Sequence, residues 1–199
     1  MIKIFFSLIL AAAGPVCAFE LPAMNAAGVK EVVAVPAAPA AVKAPTQSVW
    51  MSVTSNPGFK EARANDWNNR IEAEVRGAGN GRFEVNLRTD QGYSWASINK
   101  SGSGYNIFGA GLNLYMSGGN SYYHVSGSYM ENGKSVFVNV SLSGSGGANF
   151  NIYGQGLNLF ASSGSINGWY DPELLPKKAL AAVTAFILTL QVEAAQPGN

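Results

Sequence analysis

One block of sequence occurs twice, and it limits this chain more than any other feature. Tyr105-Asn106-Ile107-Phe108-Gly109-Ala110-Gly111-Leu112-Asn113-Leu114-Tyr115-Met116-Ser117-Gly118-Gly119 returns 45 residues later as Phe150-Asn151-Ile152-Tyr153-Gly154-Gln155-Gly156-Leu157-Asn158-Leu159-Phe160-Ala161-Ser162-Ser163-Gly164. Nine of the fifteen positions are identical and three more exchange Tyr with Phe. Farther back, Gly79-Asn80 to Leu87 loosely resembles Gly119-Asn120 to Gly127. A period of 45 residues is the length of a propeller blade, but two copies cannot close a ring that needs about four blades or more. Each copy is therefore expected to supply part of one sheet or barrel.

Inside and around the copies, apolar and polar residues alternate with period two. Ile71-Glu72-Ala73-Glu74-Val75, Phe83-Glu84-Val85-Asn86-Leu87 and Val136-Phe137-Val138-Asn139-Val140-Ser141-Leu142 show it most clearly. Such runs, rich in β-branched and aromatic residues, form strands with one buried face. Gly79-Asn80-Gly81, Asp90-Gln91-Gly92, Gly118-Gly119-Asn120 and Glu131-Asn132-Gly133 supply the positive φ that tight hairpins require. The expectation is a mainly β domain over 48–170: a curved antiparallel meander or small β-barrel of about eight to ten strands, built from two approximate repeats.

The pattern changes after Tyr170. Asp171-Pro172-Glu173 and then Pro176 predict a turn followed by a helix from about Pro176 to Glu193, within a C-terminal segment 171–195. Leu180, Val183, Phe186, Ile187 and Leu190 recur at helical spacing, so one C-terminal α-helix is expected to pack against the sheet.

The N-terminal region carries a different message. Residues 1–18 hold one cation (Lys3), an apolar stretch and Val16-Cys17-Ala18, the form of an export signal with small residues before the cut. Cleavage there removes the only Cys, so the remaining chain forms no disulfide. Residues 19–47 are rich in Ala, Pro and Val, which suits an extended spacer. Together these predict an exported protein of a bacterial cell envelope, in the periplasm, at the surface or released.

Charge is scarce and unevenly placed. Without Lys3, twelve cations face twelve anions, which excludes a strongly basic nucleic-acid binder. All five Arg lie at 63, 70, 76, 82 and 88, interleaved with acids, whereas between Gly92 and Tyr170 only Lys100, Glu131 and Lys134 are charged. The Arg-rich part suits either mutual salt bridging or an anion-binding patch, for example for acidic polysaccharide. The neutral part, covered in Asn, Ser and aromatics, suits sugars, whose rings stack on flat side chains and whose hydroxyls bond to amides.

Groups for catalysis are few. The Gly-x-Gly pairs at 109/111 and 154/156 lack the third Gly of a dinucleotide loop, having Leu114 and Leu159 there, and are read as bends in the sheet. His124 is the only His and has no second His or Cys with which to hold a metal. The acids of the β region, Glu61, Asp66, Glu72, Glu74, Glu84, Asp90 and Glu131, mostly alternate with Arg along strands. No cofactor or metal site is read from the sequence.

The expected function is therefore non-enzymatic binding or a structural role, with cell-envelope polysaccharide as the candidate partner. Tyr93, Trp95, Tyr122, Arg82 and Arg88 are the candidate binding residues. One alternative is a carrier, lipocalin-like in architecture but without a Gly-x-Trp first strand. It would hold a small apolar ligand in an internal cavity lined by Leu112, Leu114, Leu157 and Leu159. Another is an outer-membrane barrel, against which stands the apolar helix at the end of the chain. The sequence leaves the oligomeric state open.

Overall fold

Alternation with period two, broken by Gly, Asn and Asp turns, produces twelve antiparallel strands in the computed structural model. It describes residues 46–119, 121–145 and 148–195. The chain divides into units 1–41 and 42–199, and the segments expected to be an export signal and most of a spacer, with Asn120, lie outside the described residues. The strands are β1 (Gln47–Asn56), β2 (Glu61–Asp66), β3 (Ile71–Gly79), β4 (Arg82–Thr89), β5 (Gly92–Ser101) and β6 (Gly104–Gly109). They continue as β7 (Leu112–Gly119), β8 (Tyr122–Glu131), β9 (Lys134–Ser145), β10 (Asn149–Gly154), β11 (Leu157–Ala161) and β12 (Ser165–Tyr170). Each strand pairs with its neighbours in sequence, and β1 pairs with β12 to close the barrel. The count exceeds the expected eight to ten; β2 and β12 are only six residues long and carry Ala62, Ala64 or Gly168 where a large apolar residue would mark the alternation.

The duplication is a structural repeat. In β6–β7, Tyr105 faces Met116, Ile107 faces Leu114 and Gly109 faces Leu112; in β10–β11, Phe150 faces Ala161, Ile152 faces Leu159 and Gly154 faces Leu157. The following strands also match, with Gly127 opposite Leu114 and Gly168 opposite Leu159. At these two glycines φ is +143° and +149°, and a Cβ would stand 2.3 Å from the Asn113 carbonyl oxygen and 2.1 Å from that of Asn158. Only glycine fits so close an approach of neighbouring backbones. The Gly-x-Gly pairs, read from sequence as bends, are hairpin corners: Ala110-Gly111 and Gln155-Gly156 form two-residue turns with positive φ throughout.

After β12 the chain crosses one mouth of the barrel. The Asp171 N–H donates to the Gly156 carbonyl at 2.8 Å, and the buried Leu175 follows. The helix α1 (Lys177–Ala194) then runs through the interior. Fourteen consecutive residues, Ala179 to Val192, are buried, which leaves no solvent face. A helix buried all round belongs in a core, and a twelve-strand barrel is wide enough for its diameter of about 10–12 Å. Its contacts come from around the perimeter. Thr184 donates to Met51 Sδ on β1 at 3.7 Å, and Lys178 lies over the Tyr129 ring of β8 at 5.6 Å. Gln191 Nε2 donates to the carbonyls of Ala148 and Ser162 at 3.1 and 2.9 Å, while Glu193 accepts from Lys100 at 2.9 Å and from Tyr105.

The two threonine hydroxyls enclosed with the helix are satisfied locally. The hydroxyls of Thr184 and Thr189 donate to carbonyls one turn earlier at 3.0 and 2.9 Å. Burial of Phe186, Ile187, Leu188 and Leu180 each contributes about 1.5–3 kcal/mol before entropy is counted. Leu112, Leu114, Leu157 and Leu159, the expected lining of an internal cavity, are buried in the same core cluster as the helix.

Candidate functional site

The five candidate residues divide among three places. Arg88 and Tyr93 are cross-strand partners on β4 and β5, with the guanidinium carbon 4.9 Å from the ring centroid. Trp95 lies two residues farther along the same outward face, opposite Asn86, and is 70% exposed. Arg82 begins β4, six residues from Arg88 and so about 20 Å away along the strand. It borders a smaller hollow of about 210 Å³ with Lys60 and Glu193. Tyr122 stands on β8, where its hydroxyl shares a hydrogen bond with Ser141 at 3.0 Å.

Around Arg88 and Tyr93 the barrel rim forms a half-open groove of about 490 Å³, lined also by Trp67, Arg70, Glu72 and Asp90. That volume lies within the about 300–1,000 Å³ typical of small-molecule sites. One wall is the β2–β3 turn, and a single buried carboxylate organises it. Asp66 Oδ1 accepts the N–H groups of Asn68 and Asn69, each at 3.0 Å. Its Oδ2 accepts from Asn69 Nδ2 at 2.7 Å and from the Trp50 N–H at 3.1 Å. This folds the turn back on itself, holds Arg70 at a φ of 55° and leaves Trp67 78% exposed at the rim.

The groove's two acids are already engaged. Glu72 stands opposite Arg88 in the register, yet its carboxylate takes Arg63 at 2.9 Å and Asn65 at 3.3 Å. The hydrogen bond to Glu72 raises the Arg63 pKa above its ordinary value. Asp90 accepts from Lys177 at 2.7 Å, which ties the helix start to the β4–β5 turn. That hydrogen bond holds the Asp90 carboxyl below the usual range. Among the described residues, no carboxylate lies within ion-pair distance of Arg70 or Arg88.

The second feature lies on the outside of the duplicated strands, where the register sets aromatics and amides on opposite diagonals. In the first copy Asn106 faces Tyr115 and Phe108 faces Asn113; in the second Asn151 faces Phe160 and Tyr153 faces Asn158. The second pattern continues without a break onto β12 and β1, where Asn158 faces Trp169, Phe160 faces Asn167 and Asn167 faces Trp50. These aromatics are exposed, Trp50 most of all at 71%. From β5 to β12 the only charges are Lys100, Glu131 and Lys134, each within two residues of a hairpin turn.

Trp67 and Arg70 were not among the five candidates: Trp67 lies in a turn and belongs to no alternating run, and Arg70 was read only as one of the five Arg of the charged stretch. Asp66 followed by Asn68-Asn69 is the signal that could have marked that turn as an ordered one. His124 is half-buried between Ser117 and Ser141 on neighbouring strands. Among the described residues no cluster of His, Cys, Asp and Glu is placed to hold a metal, and no helix is long and apolar enough to cross a membrane. Comparison with family models, with curated proteins and with solved structures returns no match.

Proposed function

We propose that this chain is an exported, non-enzymatic binding protein of a bacterial cell envelope and that its partner is carbohydrate. The observation carrying the proposal is the aromatic and amide pattern held in both copies of the repeat at outward positions. A buried position is constrained by packing; an exposed one is not, and surface substitutions usually change stability by less than about 0.5 kcal/mol. Yet all four outward positions of the hairpin keep their class across the two copies. Flat rings stack on the apolar faces of pyranoses while neighbouring amides exchange hydrogen bonds with the hydroxyls.

The distribution of side chains supports the same reading over insertion in lipid. Inward positions carry Ile, Leu, Met and Phe, and outward ones carry Asn and Ser beside the aromatics. A lipid-facing barrel needs the inverse. The two copies lie four strands apart in a barrel of twelve, a third of the way round, so they face different directions and suit two polymer chains better than one.

The test is titration of the purified protein with neutral oligosaccharides from bacterial envelopes, followed by tryptophan fluorescence. Binding that weakens about tenfold in Trp169→Ala supports the proposal. No binding at about 1 mM across the panel would sink it, as would turnover of a glycan that disappears when one carboxylate is changed.

A further inference from the structure

We infer that the groove between the β2–β3 and β4–β5 turns is a separate subsite selective for an acidic sugar, a uronate ring within a glycan. The inference rests on the carbohydrate reading but on a different surface, the charged side of the barrel. Four observations meet there. The groove encloses about 490 Å³, within the about 300–1,000 Å³ of small-molecule sites. Two exposed aromatic rings, Trp67 and Tyr93, border it. Both carboxylates lining it are engaged by cations, Glu72 by Arg63 and Asp90 by Lys177. Arg70 and Arg88 remain as charges without an ion-pair partner among the described residues, and both line the same space.

The pairing of Glu72 decides the sign of the site. Register alone would neutralise Arg88, since Glu72 is its direct cross-strand neighbour. Arg63 and Asn65 take that carboxylate instead, and the Arg88 guanidinium carbon lies over the Tyr93 ring, 4.9 Å from its centroid. This cation–π contact restrains the guanidinium, which reduces the freedom lost when its N–H groups grip a ligand. A planar fork of donors matches a carboxylate in two-point contact. Arg70, fixed by the Asp66-ordered turn, supplies a second cation from the opposite wall. A uronate joins the carboxylate these cations take to the ring that Trp67 and Tyr93 can flank.

The experiment compares a short oligogalacturonate with its methyl ester, which keeps the rings and removes the charge. Calorimetric titration is expected to show the acid binding at least about tenfold tighter than the ester. Arg88→Ala and Arg70→Ala should each abolish most of that preference, and raising NaCl from about 0.1 to 0.5 M should reduce it. Trp67→Ala should weaken acid and ester by similar factors. Arg76→Ala, toward the other end of β3, serves as the folded control and should leave the preference intact. Equal affinity for acid and ester overturns the inference, and so does an unchanged preference in both arginine variants or no binding of the acid at about 1 mM. Binding of neutral glycans that depends on Trp169 would survive any of these outcomes, so the two proposals fail separately.

Discussion

The strands β2–β4 and the repeated strands β6–β12 follow one plan, paired in sequence order around the same helix, yet they differ on both faces. Outside, β2–β4 alternate Glu and Arg, with Arg63 on Glu72 at 2.9 Å and Arg76 on Glu61 at 2.6 Å. The repeated strands set Asn and Ser against aromatics instead. Inside, β2 and β3 offer Ala62, Ala64, Ala73 and Val75 beside Ile71, and β4 offers Phe83, Val85 and Leu87, while the repeated strands offer Ile107, Leu114, Met116, Phe150, Ile152 and Leu159. The helix backbone lies nearest β3, β4 and β2. The alanines of β2 and β3 let it approach that wall, and large residues of the repeated strands fill the distance to the other. An off-centre helix thus accounts for the inner difference, while the outer difference has no packing cause and is what the proposed binding role would explain.

The largest expected effect comes from reversing the inner difference. Leu159→Ala leaves a void on the far wall and should cost about 2–5 kcal/mol. Ala73→Leu crowds the near wall against the helix and should cost about 1–3 kcal/mol. Chemical denaturation of both variants checks the contrast. If Ala73→Leu is neutral, the helix is not held close to β3 and the account of the asymmetry fails.

The next effect lies in the turn that gives the charged side its groove. Asp66→Ala removes the acceptor for three backbone N–H groups and for Asn69 Nδ2. A loss of about 1–3 kcal/mol is expected, because the Trp50 N–H and the turn are left without their partner. The same variant should release Trp67 and Arg70 from their positions, seen as a changed tryptophan emission and a loss of acid preference. Asp66 is a positioning residue here: a substitution at least as destabilising on the far wall, such as Leu159→Ala, should leave that preference unchanged.

Much of this contrast was legible in the sequence, and its gaps have physical reasons. Period-two alternation and Asn-Gly turns marked the barrel, and the 45-residue repeat marked the hairpins that prove equivalent in register. Enclosure of the helix was not legible. Leu180, Val183, Phe186, Ile187 and Leu190 form a single stripe, and Ala181, Ala182, Ala185 and Thr184 between them look able to face water. They are buried because small side chains permit close approach to a wall, a fact about the partner strands and not about the helix. Of the five candidates, Arg88 and Tyr93 line one groove and Trp95 shares the outward face of Tyr93, while Arg82 and Tyr122 lie elsewhere on the barrel. Residue type carries no position, and the placing of Trp67 and Arg70 depends on the Asp66 carboxylate.

The smallest effect separates the two sides by pH. Tyr129 and Tyr170 occupy equivalent places in the two copies, opposite Leu112 and Leu157. Burial first, and then nearby carboxylates, push both phenols up to about 12 from an ordinary 10.0. A group whose pKa is raised on folding lends stability that is complete below the unfolded value and is lost as pH climbs through the folded one. The repeated side should therefore weaken between pH 10 and about 12. Near pH 11 the loss is of order 1 kcal/mol, a fall in Tm of about 2–4 °C. On the charged side the sign is opposite. Asp90 is held low by Lys177, so its contribution is present above the ordinary carboxyl value of 3.8 and fades as pH drops below it. That pair is largely exposed, so the acid-side effect should be the weaker of the two and should shrink with salt. Tyr170→Phe also gives up the hydrogen bond to Gln47 at 2.9 Å, so slopes of Tm against pH are compared and not absolute values. The variant should flatten the alkaline limb and leave the acid limb unchanged, whereas Lys177→Ala should alter only the acid limb. If Tyr170→Phe leaves the alkaline slope as steep as before, buried phenols in the repeat are not what sets the upper pH limit.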